Sequence, residues 1–304
     1  MRYPIWLVGV LRAARRSDLV IVFRNAALSG PPVAEAILSM TGPPIVYDLD
    51  DAIYLPPEDG GNFWRRLARC DWRVGYIARR AVMVGAGCPV LRDHMARFNR
   101  NAVLWPTTED TDKMRLRDHP DNAAPPVIGW TGSPSTALYV EAILPELAAL
   151  QREVPFTMLV IGAEVDLARH GIEGRCVPWT AATETTLVRQ IDIGLMPLFD
   201  SPWARGKCAL KAIQYQAAGS PAVVSDVGVN REVVLDGETG FVVAPGGDWA
   251  PPLRKLLADP DLRRRMGLAG RARVEAHYSA AVVGARVARD LRALLEARAG
   301  EANG

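Results

Sequence analysis

The chain has 304 residues, of which 49% are hydrophobic and 23% charged, with a formal net charge of +2. That length exceeds one ordinary core and suits two domains, and so small a net charge argues against nucleic acid as a partner. The cysteines Cys70, Cys88, Cys176 and Cys208 are scattered with no CxxC pair, which argues against a zinc site or a disulfide framework and fits a reduced, cytoplasmic setting.

Residues 5–11 form an apolar run far shorter than the roughly 20 residues that span a bilayer, and no small-residue cleavage site follows it. Short apolar strands then alternate with amphipathic helices. Strands are predicted at 19–23, 45–48, 81–85 and 102–105, with helices at 32–40, 62–80 and 89–99. Residues 117–126 are polar and proline-rich and read as a linker. Six further strands are predicted at 127–131, 157–161, 175–178, 192–197, 221–225 and 240–243. The intervening helices are expected at 135–153, 183–190, 207–218, 230–235, 249–258, 260–277 and 280–297. This alternation predicts an α/β protein with two Rossmann-like, doubly wound domains. The expected division is a domain over 1–117 that is incomplete, a linker over 118–126, a domain over 127–279 and a C-terminal helix over 280–304.

In open α/β sheets ligands bind outside the carboxyl ends of the strands, so the loops after strands are where binding residues are expected. The loop at 129–136 offers Gly132 for close backbone approach and Ser133 near a helix start, where unpaired N–H groups suit a phosphate. An ordinary capped turn has the same pattern. Arg205, Lys207 and Lys211 crowd the start of the helix expected at 207–218, with Lys207 and Lys211 four apart on one face. Cations in a first helical turn oppose the helix dipole, which makes sense beside a bound anion such as a diphosphate; a solvated charged face is the other reading. Gly219 and Pro221 end that helix, and Asp226, Gly228, Asn230 and Glu232 form another strand–glycine–helix junction, either capping or binding.

The run KAIQYQAAGSPAVVSDVGVNREVVLDGETGFVV at 211–243, the tail PDLRRRMGLAGRARVEAHYS at 260–279 and the opening VIGWTGSPST at 127–136 resemble the donor-binding domain of family-4-like, group 1 glycosyltransferases of the GT-B fold. The segments DLVIVFR, PPIVYDLDDAIY and NAVLWPTTEDTDKM follow, more faintly, the order of late segments of the family's acceptor domain. That domain usually opens on a glycine-rich strand-to-helix loop, which this sequence lacks, so its N-terminal domain reads as shortened. The resemblance implies glycosyl transfer from a nucleotide-diphosphate sugar to a hydroxyl of a glycan or lipid-linked glycan, with retention of configuration and no metal or other cofactor. Taken with the loop positions above, donor contacts are expected from Gly132, Ser133, Arg205, Lys207, Lys211, Gln214, Asp226, Gly228, Asn230 and Glu232. The family usually carries two glutamates eight positions apart before this GxP turn, the second implied to bind ribose hydroxyls. Gly206 and Gln214 stand at those positions here. An Arg and Lys pair after the domain's first strand is missing as well, and Arg205, Lys207 and Lys211 are the cations that replace it.

Asp48, Asp50 and Asp51 close a predicted strand of the first half and are the candidate catalytic group, for acceptor binding, as a general base or, on thinner grounds, as metal ligands; capping of a turn is the plainer reading. Arg65, Arg66, Arg69 and Arg73 recur at helical spacing, as a solvated basic face or as a peripheral contact with anionic lipid at the inner face of a membrane. Two other functions fit the departures: a non-catalytic, glycosyltransferase-like binding subunit and a sugar-nucleotide epimerase of the same fold.

Overall fold

The computed structural model describes residues 3–25, 31–55, 72–117 and 125–303. The chain forms two compact units: Met1–Thr107 with Arg205–Cys208 and Gly284–Gly304, and Thr108–Ala204 with Ala209–Val283. They are called the N-terminal and C-terminal units below.

The N-terminal unit runs α1 (Tyr3–Ala14), β1 (Val20–Phe23), α2 (Val33–Thr41), β2 (Ile45–Leu49), α3 (Trp72–Arg80), β3 (Met83–Ala86), α4 (Pro89–Ala96) and β4 (Ala102–Leu104). Its four strands are parallel and pair in sequence order. Alternation along β2 divides the two faces. Ile45, Tyr47 and Leu49 pack with Leu38, Val74, Ile77 and Ala78 from the helices. Val46 points the other way, into a cluster with Met83, Trp105 and, from the chain's last helix, Val287, Leu291 and Leu294. The Trp105 indole Nε1 donates to Asp290 at 2.9 Å, fixing that helix on the sheet. Both faces are thus covered, as a parallel sheet requires. The apolar run near the start, not expected to be a helix, forms most of α1, and Ala14 at its end joins the core.

The C-terminal unit contains β5 (Val127–Thr131), α5 (Ala137–Glu141), α6 (Leu144–Glu153), β6 (Thr157–Ile161), β7 (Gly174–Val177), α7 (Glu184–Val188) and β8 (Ile193–Met196). After the short α8 (Pro202–Arg205) it continues through α9 (Leu210–Ala217), β9 (Ala222–Ser225), α10 (Asn230–Val233), β10 (Gly240–Val243), α11 (Ala250–Ala258) and α12 (Pro260–His277). The last helix, α13, spans Ala280–Asn303. The six parallel strands are ordered β10-β9-β8-β5-β6-β7. The chain moves outward from β5 to β7 and then restarts at β8 on the other side of β5. That reversal is the topological switch point at which Rossmann folds bind ligands.

The sequence pattern predicts one helix over 135–153, but the structure has a 3-10 turn at Pro134–Thr136 followed by α5 and α6. Pro145 lacks an N–H and its ring would strike the preceding turn, so the helix restarts there. The helix expected to begin at Lys207 begins at Leu210, because Ala209 adopts left-handed backbone (φ 57°). Gly219 supplies the left-handed residue (φ 80°) that ends it. No helix among the described residues is long and apolar enough to cross a membrane.

Candidate functional site

A pocket of about 690 Å³ opens at the carboxyl ends of β5, β6 and β7. Its walls are the loop Thr131–Pro134 after β5, residues 162–164 after β6, residues 177–179 after β7, Glu184 of α7, and Leu210, Lys211 and Gln214 of α9. Four of the residues expected to bind a donor meet here: Gly132, Ser133, Lys211 and Gln214. Each comes from an element beside the switch point.

The wall at Gly132 is built by protein neighbours. A Cβ there would lie 2.4 Å from the Trp130 ring and 2.7 Å from Thr136 Oγ1. The turn that follows offers fewer donors than a free helix N-terminus. Pro134 has no N–H, and the Ser133 N–H already donates to Thr136 Oγ1 at 3.1 Å. The charge on this side of the pocket is that of Lys211. Its Nζ stands 5.0 Å from the centroid of the fully buried Trp130 ring, in the first turn of α9, where a cation opposes the helix dipole.

The opposite polarity comes from Glu184, which the sequence reading did not single out. Glu184 Oε1 accepts from Trp179 Nε1 at 2.9 Å and from Gln214 Nε2 at 3.0 Å. The same Gln214 side chain donates to Glu109, whose carboxyl is lifted above its ordinary value by burial even though this bond opposes the rise. The 214 side chain is therefore an amide held between two carboxylates. Trp179 stands half exposed at the pocket wall.

The remaining expected donor residues take other places. Asp226 is paired with Arg231 through two hydrogen bonds, which hold its carboxyl below the usual range. Asn230 is buried and its Nδ2 donates to the Ser225 carbonyl at 3.0 Å, so its side chain shapes the loop after β9. Gly228 provides the left-handed residue of that loop (φ 59°), and the Glu232 side chain is exposed on the four-residue α10. None of these four lines the pocket.

Arg205 and Lys207 belong to the N-terminal unit. Lys207 precedes the first turn of α9, so it does not share a helical face with Lys211 as the spacing implies. At Gly206 a Cβ would lie 2.6 Å from the Ala52 Cβ, so the position that is a glutamate in the resembling family has no room for a side chain here. Cys208 Sγ donates to the Asp50 carbonyl at 3.0 Å, tying this segment to the acidic turn.

In that turn the three aspartates diverge in role. Arg24, at the end of β1, forks onto Asp50 through Nε and Nη2 and reaches Asp51 from Nη2 at 2.9 Å. Arg24 holds left-handed backbone (φ 54°), which a non-glycine residue adopts at a cost of about 1–2 kcal/mol, and these bonds offset it. Asp48 stands apart from this fork. Burial, with the neighbouring Asp50 charge, pushes its carboxyl up to about 6. Arg73 is 5% exposed, so it does not extend a solvent- or lipid-facing basic stripe; Arg65, Arg66 and Arg69 lie outside the described residues.

Residues 125–259 match the family described as Glycosyl transferases group 1. A D-inositol 3-phosphate glycosyltransferase of Nocardia farcinica is 33% identical over 129 residues, 41% of this chain and 26% of that protein. A glycogen synthase of Mycobacterium tuberculosis is 29% identical over 145 residues, 43% of this chain and 34% of the relative. The matched segment therefore spans only 26% and 34% of these two relatives. In fold, the chain is similar to sucrose-phosphate synthase from Thermosynechococcus elongatus, with a TM-score of 0.72, 17% identity and coverage of 97% of this chain and 78% of that one. It is also similar to Anabaena Alr3699/HepE, solved in complex with UDP and glucose, with a TM-score of 0.71, 16% identity and coverage of 94% and 80%. Residues 125–259 thus match the group 1 glycosyl transferase model, and the chain as a whole shares the fold of these two solved structures.

Proposed function

We propose that this protein transfers a glycosyl group from a nucleoside-diphosphate sugar to a hydroxyl of a glycan or lipid-linked glycan, in the cytoplasm and with retention of anomeric configuration. The observation that carries this reading is the pocket at the switch point, with the Lys211 cation on one wall and the Glu184–Gln214 pair on another. The names of the relatives, which describe glycosyl transfer and glycogen synthesis, support it.

In this reaction the bond from the anomeric carbon to the diphosphate oxygen breaks and a bond to the acceptor oxygen forms. The acceptor proton passes to a base. Lys211 meets the charge that develops on the leaving diphosphate, with Arg205 and Lys207 as the further cations of the proposal. A contact of this kind is worth about 2.7–4 kcal/mol of barrier. Positive side chains take the role a metal would otherwise fill, so the reading calls for no cofactor. Gly132 and Ser133 border the same pocket, while Asp226, Gly228, Asn230 and Glu232 hold the loop after β9 in shape. Asp48 is the proton acceptor of the proposal, since a carboxyl that titrates near 6 is an effective base at neutral pH. Asp50 and Asp51 are its Arg24-bound neighbours.

A non-catalytic nucleotide-binding subunit is the second reading, favoured by the absence of a carboxylate at both 206 and 214. Thermal-shift titration with UDP, GDP, ADP and their sugar conjugates separates the outcomes. Ligand at 100 times its Kd adds about 2.7 kcal/mol of stability. A shift together with release of nucleoside diphosphate when glycan acceptors are added supports transfer. A shift without release supports the binding subunit, and no shift with any nucleotide overturns both.

A further inference from the structure

We infer that Glu184 is the ribose-binding carboxylate of the switch-point pocket, positioned by Trp179 and Gln214. The inference rests on the nucleotide-binding reading above and adds a residue to it. Gln214 is 6% exposed, and its Nε2 donates to the Glu184 carboxylate, with the Glu109 carboxyl also acting on the same side chain. Glu184 Oε1 is in turn committed to Trp179 and Gln214. Among the described residues Oε2 carries no hydrogen bond, and Glu184 is only partly buried at the pocket wall. An ionised carboxylate is an acceptor only, so what completes it is a group presenting hydroxyl donors.

A nucleoside diphosphate has one end that offers adjacent hydroxyls, the ribose, and one that offers only acceptor oxygens, the diphosphate. Glu184 attracts the first and repels the second, while Lys211 attracts the second. The two side chains therefore set the direction in which the nucleotide lies. The half-exposed Trp179 ring, pinned to Glu184 through its indole N–H, gives the base an apolar surface beside the sugar.

The same geometry accounts for an amide at 214. A glutamate there would be a third carboxylate against Glu109 and Glu184, whereas glutamine links the two with its donors. The acidic group has moved from α9 to α7, thirty residues away in the chain and 3.0 Å away in space.

The test measures Kd for UDP, GDP and ADP and for their 2′-deoxy counterparts. The wild type is expected to prefer at least one ribonucleotide over its deoxy form by about tenfold. Glu184→Gln, nearly isosteric, is expected to weaken that ribonucleotide by tenfold or more and to bring the ribo-to-deoxy ratio close to one. Gln214→Glu alone is expected to weaken binding, and the exchange Glu184→Gln with Gln214→Glu to recover it to within about threefold of wild type. A ribo-to-deoxy ratio that Glu184→Gln leaves unchanged, even with a lowered Tm, overturns the assignment while nucleotide binding stands. No binding of any of these nucleotides by the wild type overturns the nucleotide-binding reading itself.

Discussion

The Arg117–Asp192 pair of the C-terminal unit and the Arg24–Asp50–Asp51 cluster of the N-terminal unit share their chemistry and differ in setting. Arg117 and Asp192 side chains are 5% and 13% exposed and 2.5 Å apart. Arg117 Nη1 also donates to the Ile191 carbonyl at 2.9 Å, and Asp192 Oδ2 accepts from the Val127 N–H at 2.7 Å. This pair binds the amino ends of β5 and β8, the far end of those strands from the pocket. Arg24, Asp50 and Asp51 are 40%, 30% and 27% exposed, at the carboxyl ends of β1 and β2, with Arg24 on left-handed backbone. A charge pair buried at the amino ends has only a scaffolding task. One left half open at the carboxyl ends, with strained backbone and an unneutralised Asp48 beside it, has the features of a working site.

Mutations at the two pairs sharpen this contrast. Arg117→Met strands a buried carboxylate and should cost about 3–5 kcal/mol in chemical denaturation. Adding Asp192→Asn should recover most of that loss, because the amide oxygen still accepts from Val127; no recovery would mean that the arginine acts through packing alone. For Asp48→Asn, kcat should fall on the order of a hundredfold, about 2.7 kcal/mol of barrier. In the wild type, kcat/KM should rise with pH through about 6, where the base loses its proton, and the asparagine variant should lack that limb. The same raised carboxyl favours the protonated fold. Its contribution to stability is complete below the ordinary aspartate value and is lost as pH rises through about 6.

Two fully buried tyrosines extend the comparison to smaller effects. Tyr215 OH accepts from the Thr131 N–H at 2.9 Å and donates to the Leu195 carbonyl at 3.2 Å. Tyr215→Phe leaves both groups unpaired and should cost about 1–3 kcal/mol, with a weaker nucleotide shift because Thr131 lines the pocket. Arg24→Ala should cost only about 1 kcal/mol, as its ion pairs are open to solvent. It should also move the Asp48 limb to higher pH, since the Asp50 charge then acts unopposed; an unmoved limb would separate the two groups. Tyr47 OH has no hydrogen-bond partner among the described residues, so Tyr47→Phe should leave Tm unchanged or slightly raised. A clear loss of Tm would disprove that picture of the N-terminal core.

The C-terminal unit was legible because its signals are local. The strands at 127–131, 157–161 and 240–243 stand at the bounds expected, each an apolar run closed by a turn residue or a polar break. Gly219 ends its helix as the Gly-x-Pro pattern implies, and the Gly132 loop and Lys211 fall on the pocket because they follow strands beside the switch point. The late start of α9 was not legible. It depends on left-handed Ala209 and on a segment held beside the acidic turn by Cys208, contacts with residues more than 150 positions away.

Periodicity and turn chemistry in the sequence determined the alternation of strands and helices, and with it the carboxyl-end loops in which a ligand site had to lie. Tertiary structure alone decided how the charged side chains of those loops are paired. It paired Asp50 and Asp51 with Arg24 and left Asp48 raised, allowed no side chain at 206, and brought Glu184 to Gln214. Strand and helix formation follow from neighbours along the chain, whereas the ionisation and pairing of a carboxylate follow from whichever groups folding places within a few ångströms of it.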